Sequence, residues 1–209
     1  MELGKSFRKE NLKKLYKKYG GILIDFIIFF SITVVFHFLY WNTNMDSWLF
    51  GPYSKDVFAF FTDIAYKGTV LLSKVFNPYD FDYYDNTLFF YKLNELGQNY
   101  NFAFLKVVES CSGVKQLFQL LVIMLFMRNS IWKRLIYFLL SIPIILFFNI
   151  VRITSIGWVL VEYPYFADFF HLHIARYFHY VIIFIIWAVW IKYFSKKHSR
   201  HQASRPKVD

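Results

Sequence analysis

Three residues combine a sulfur nucleophile, a permanent cation and an imidazole in otherwise apolar surroundings: Cys111, Arg152 and His173. Such a set offers the parts of thiol chemistry: a sulfur that is nucleophilic as its thiolate, a fixed positive charge and a group that can exchange a proton. Cys111 is the only cysteine, so no intramolecular disulfide is available and its value lies in packing or reactivity. It precedes Ser112-Gly113 and an apolar run, where the first-turn amides and dipole of a helix favour a thiolate, as does a nearby arginine. Asn149, Arg152 and Ser155 recur every three residues and share one helix face, a polar stripe that should face a bundle interior. Asn149, Ser112 and Gly113 flank the reactive set and are the expected substrate-binding positions. Taken singly, each reactive residue has a plainer reading. Cys111 can be a small packing residue, Arg152 a partner for Glu162 or carbonyls, and His173 an interfacial histidine beside His171 and His179.

The elements that must position these residues are membrane helices. The 209 residues are 57% hydrophobic and 23% aromatic, with a mean hydropathy of +0.35, too apolar for an ordinary soluble domain. The predicted class is an all-α polytopic membrane protein of about four transmembrane helices, an interfacial or re-entrant helix and a small extracytoplasmic hairpin. The spans are predicted at 22–41, 112–127, 135–161 and 173–194. Seven of the cations lie between Lys5 and Lys18, and more follow the last apolar run. Basic flanks are retained in the cytoplasm, so segment 1–21 and tail 195–209 are placed inside and 42–110 outside. The outer region carries eight acids against five lysines, a poor cytoplasmic loop. Arg128, Lys133 and Arg134 mark a cytoplasmic turn. The run 22–41 is longer than a signal-peptide core and has no small-residue cleavage site after it, so it reads as an anchor.

Within 42–110, residues 57–76 read as a helix whose polar stripe of Asp63, Lys67 and Lys74 suits an interface. Asn77-Pro78 signals a turn. Thr87 to Leu93 and Phe102 to Val108, separated by a segment with Gly97, read as a β-hairpin. Pro143 should kink the third span, and a loop with Glu162, Pro164 and Asp168 should follow it. On this layout Cys111 sits at the outer start of the second span and His173 at that of the fourth. Arg152 lies about nine residues, or about 13 Å, below the outer end of the third. Three remote segments thus converge near one membrane face, and ionisable groups inside spans are functional candidates by default.

Glu109-Ser110-Cys111-Ser112-Gly113, Asn149-Ile150-Val151-Arg152-Ile153 and a histidine opening the last span resemble, in order and spacing, the exosortase/archaeosortase family. The resemblance covers about Val107 to Phe194 and is similar to a short bacterial form, the exosortase F type. It implies a cysteine transpeptidase or protease of the bacterial inner membrane, with Cys111 as nucleophile, Arg152 as oxyanion stabiliser and His173 as acid/base. It implies no metal or cofactor. Its partners would be exported proteins ending in a short motif, a hydrophobic helix and a basic tail, together with the bilayer and a cell-surface acceptor. The family histidine often precedes Gly-Trp four residues on, whereas Tyr177-Phe178 stands here, which leaves His171 and His179 open as alternatives.

A rival class is a non-enzymatic membrane subunit or small-solute transporter, with Asp25, His37, Arg152 and the histidines lining a polar path. Internal repeat symmetry would favour it, and the sequence has none. His171 and His173 as a metal pair diverge on a helix and lack a completing cluster. The positive charge marks membrane flanks rather than nucleic acid, since no recognition motif accompanies it.

Overall fold

The structure, a computed structural model, describes residues 21, 23–40, 42, 43, 51–76, 79–93, 99–127 and 130–195. The basic segment 1–20, the tail from 196, Asn77-Pro78, Gly97 and Arg128 lie outside the described residues. Helix α1 (Leu23–Tyr40) comes first. A 3₁₀ turn (Gly51–Tyr53) then enters α2 (Ser54–Phe76), followed by strands β1 (Asp80–Tyr84), β2 (Thr87–Leu93) and β3 (Asn99–Lys106). A second 3₁₀ turn (Glu109–Cys111) opens onto α3 (Val114–Phe126), and α4 (Ile131–Glu162) follows. Finally α5 (Pro164–Phe169), a π-helical turn (Phe170–Ile174) and α6 (Ala175–Trp190) run on as one rod from Pro164 to Phe194.

Three of these helices are long and apolar enough to cross a membrane: Leu23–Tyr40, Ile131–Glu162 and Pro164–Phe194. The chain is therefore a multi-pass, predominantly helical membrane protein. The remaining expected span, 112–127, is α3, whose 13 residues rise about 20 Å at 1.5 Å each, against about 30 Å of hydrocarbon. The loop expected after the third span is also absent, because Tyr163 alone separates α4 from α5 and Pro164 takes the first helical position. The last rod accordingly starts nine residues earlier than the predicted 173.

Burial follows the helical period. Along α4 the buried positions Ser141, Ile145, Asn149 and Ile153 recur every fourth residue, while Leu139, Ile144 and Phe147 face outward. Two clusters result. Leu120, Ile123 and Met124 of α3, Ile145 of α4 and Ile183, Trp187 and Trp190 of α6 pack with Phe29 of α1. Leu88 and Phe90 of β2, Ala103 of β3, Ala65 of α2 and Ile153 and Val161 of α4 form the other. Between Ile145 and Ile153, α4 passes from one cluster to the other, and Asn149 and Arg152 lie in that stretch.

The three strands form an antiparallel meander in sequence order. Asp85 and Asn86, both at positive φ, make the two-residue turn between β1 and β2. The predicted hairpin is therefore β2–β3, and β1 extends it. The sheet rests on the end of α4 distant from Ile131, where Gly157 admits Phe90: a Cβ at Gly157 would lie 2.7 Å from that ring. Lys92 pairs with Glu162 at 2.7 Å, and the Tyr79 hydroxyl donates to the same carboxylate at 2.8 Å. Helix α2 packs on α4 with Gly68 beneath Ile150 and turns its Asp63–Lys67 pair outward.

Candidate active site

The local chain path around Cys111 is dictated by Gly113 and Asn149. The Cys111 amide donates to Val108 O at 2.7 Å and that of Ser112 to Glu109 O at 3.1 Å, closing the 3₁₀ turn. Gly113 then takes φ +81°, a left-handed conformation that would strain a side chain. Its carbonyl accepts the first α3 hydrogen bonds, from Gln116 and Leu117, and Ser112 Oγ accepts the Val114 amide at 3.3 Å. Cys111 is thereby held at the N-terminal end of α3.

Across the gap, Asn149 Nδ2 of α4 donates to the Cys111 carbonyl at 2.7 Å. The same nitrogen would stand 3.2 Å from a Cβ at Gly113. The cysteine turn and the polar stripe are thus interlocked, and Arg152, one turn on from Asn149, lies within electrostatic reach of Cys111. Its Nε is buried without a hydrogen-bond partner among the described residues. Asn149, one of the expected substrate-binding positions, is buried and does not line the cavity, and its amide fixes the Cys111 backbone. Gly113 does the same, while Ser112 lines the cavity.

The cavity, of about 250 Å³, gathers Cys111, Arg152, Ser112, His171 and His179. His173 is not on its wall; it is exposed and its ring packs against Phe169 at 4.8 Å. Helix phase explains the difference. Residues 171 and 179 would diverge by about 80° in a regular α-helix, but a π-helical turn absorbs about one extra residue and returns them to nearly one face. His179 is 2% exposed and beside Arg152. Among the described residues neither of its ring nitrogens makes a well-formed hydrogen bond, the Ala175 carbonyl one turn back being the acceptor within reach. A buried imidazole without a proper partner is costly unless a ligand or reacting group supplies one.

The sequence reading missed several lining residues: Lys115 in the first turn of α3, Gln119, and Arg176 and Tyr180 of α6. Lys115 and Arg176 carried the necessary signal, since each is an ionisable residue set in an apolar run. The chemistry open to this arrangement is attack by a thiol on a carbonyl held beside a guanidinium and an imidazole. In comparison with known proteins, residues 88–202, more than half of the chain, match the transmembrane exosortase family. No curated protein and no solved structure matches the chain.

Proposed function

Because the chain belongs to the transmembrane exosortase family, and so to membrane proteins that process sorting signals, we propose that it is a cysteine transpeptidase or protease acting through a thioester. Its substrates are exported proteins that end in a motif, a hydrophobic helix and a basic tail. The observation that carries this reading is the meeting of Cys111, Arg152 and His179, from three separate elements, around one cavity.

Cys111 sulfur attacks the scissile carbonyl carbon as its proton passes to His179. Arg152 offsets the charge that develops on the carbonyl oxygen, a role typically worth about 3–4 kcal/mol when one such donor is removed. The tetrahedral adduct collapses, the C–N bond breaks, and His179 returns the proton to the leaving amine, giving a thioester on Cys111. An acceptor amine, hydroxyl or water then attacks the thioester and the thiol is regenerated. His179 takes the acid/base role because it lines the cavity, and His173 does not. In this reading both termini are cytoplasmic and the cavity opens to the extracytoplasmic side.

A hydroxylamine assay tests it. The protein, isolated from cells that make its exported substrates, should carry an acyl adduct on Cys111 that neutral hydroxylamine removes, as seen by mass spectrometry. An adduct resistant to hydroxylamine, or located on another residue, would contradict the thioester.

A further inference from the structure

The cavity wall carries a cationic group that the proposed thiol chemistry does not use. Lys115 of α3, Arg176 and Tyr180 of α6 and His37 of α1 all line it. His37 Nδ1 and the Tyr180 hydroxyl lie 2.6 Å apart and join α1 to α6. Lys115 Nζ stands over the Tyr40 ring, 4.4 Å from its centroid. Arg176 is the hub, within electrostatic reach of Lys115, His37, Tyr180 and His171. Cations gathered around a concavity set up a positive potential that draws an anion into it.

We propose that Lys115, Arg176, His37 and Tyr180 form a phosphate-binding subsite beside Cys111. Ammonium, guanidinium, imidazole and hydroxyl groups approach from three helices, which suits the several outward oxygens of a tetrahedral phosphate better than the two of a planar carboxylate. Depth points the same way. Tyr40 ends α1 and Lys115 lies in the first turn of α3, so the subsite stands level with the helix ends, where lipid headgroups present phosphate. Either a phospholipid headgroup or free phosphate supplies this chemistry. The subsite goes beyond the thioester reading, because binding requires no turnover.

Full-length protein in an uncharged sugar detergent, free of phosphorus, provides the test. Radiolabelled inorganic phosphate in equilibrium dialysis should bind saturably at one site per chain. Arg176→Gln and Lys115→Gln should each weaken it at least tenfold without changing the melting temperature of the unliganded protein. Bound phosphate should also slow alkylation of Cys111, the sole thiol, whereas chloride at equal ionic strength should not. Addition of phosphatidylglycerol separates the sources: displacement of the label at lower concentrations than unlabelled phosphate requires identifies the headgroup, and failure to displace it identifies free phosphate. Absence of saturable binding, equal binding of acetate, or undiminished binding in Arg176→Gln overturns the proposal. None of these outcomes depends on substrate cleavage, so the subsite and the thiol mechanism fail separately.

Discussion

At the scale of single residues, two substitutions of the same type should behave oppositely. His179→Gln removes a buried imidazole of the cavity wall, and substrate processing should fall about 10²–10⁴-fold, the usual contribution of a positioned acid/base. His173→Gln changes an exposed ring packed on Phe169 and should leave processing within a few-fold of the parent. Cleavage of one exported substrate, measured in parallel for both variants, decides between them, and a greater loss on changing His173 would reverse the assignment. Asn149 acts through the backbone of Cys111. Asn149→Ala leaves that carbonyl without its 2.7 Å partner and should cost about 1–3 kcal/mol of stability. On the proposed mechanism it should also lower kcat more than it raises KM, since Cys111 shifts and the rest of the cavity wall does not. Cys111 and Arg152 were legible in the sequence because a lone thiol before Ser-Gly and an arginine within an apolar run are both anomalies. Which of His171, His173 and His179 line the cavity was left open, because the π-helical turn that sets their phase leaves no mark in the order of side chains.

At the scale of elements, the contact between the sheet and α4 keeps the Cys111 turn in place, since β3 leads directly into it. Gly157→Ala would press a methyl group to 2.7 Å from the Phe90 ring. The strain of such overpacking is about 1–3 kcal/mol, so thermal unfolding should begin at a lower temperature. Tyr79 gives the same contact a pH dependence. Burial, and then its hydrogen bond to Glu162, push the Tyr79 hydroxyl up to about 12. A raised folded-state value means that its contribution is fully present below about 10, the ordinary tyrosine value, and is lost as pH climbs through about 12. Absorbance of the tyrosinate should therefore include a transition at about 12 from Tyr79, and Glu162→Gln should bring it down. The sequence displayed β2 and β3 through their aromatic alternation. It hid β1, whose Asp80 and Asp82 belong to a type that strands avoid. It also hid the single rod from Pro164 to Phe194, because Pro164 reads as a break when met in a loop yet fits the first position of a helix.

At the scale of the molecule, hydropathy alone made the membrane class plain, and three predicted spans coincide with helices of spanning length. The short α3 was less legible, since an apolar run does not reveal where a helix starts, and Gly113 delays this one until Val114. The proposed topology, with both termini in the cytoplasm and the cavity opening outward, has a direct test. A membrane-impermeant maleimide should then label Cys111 in intact cells whose outer barrier has been made permeable, and labelling only after lysis of the inner membrane would reverse the topology.

The thiol of Cys111 is the centre of the proposed chemistry, and the C-termini of exported proteins report on it most directly. They can be mapped by mass spectrometry in cells carrying either the parent protein or Cys111→Ala at matched membrane levels. Exported proteins that lose their hydrophobic helix and basic tail in the parent should retain both in the variant. Equal trimming in the two strains would contradict thiol chemistry in this protein.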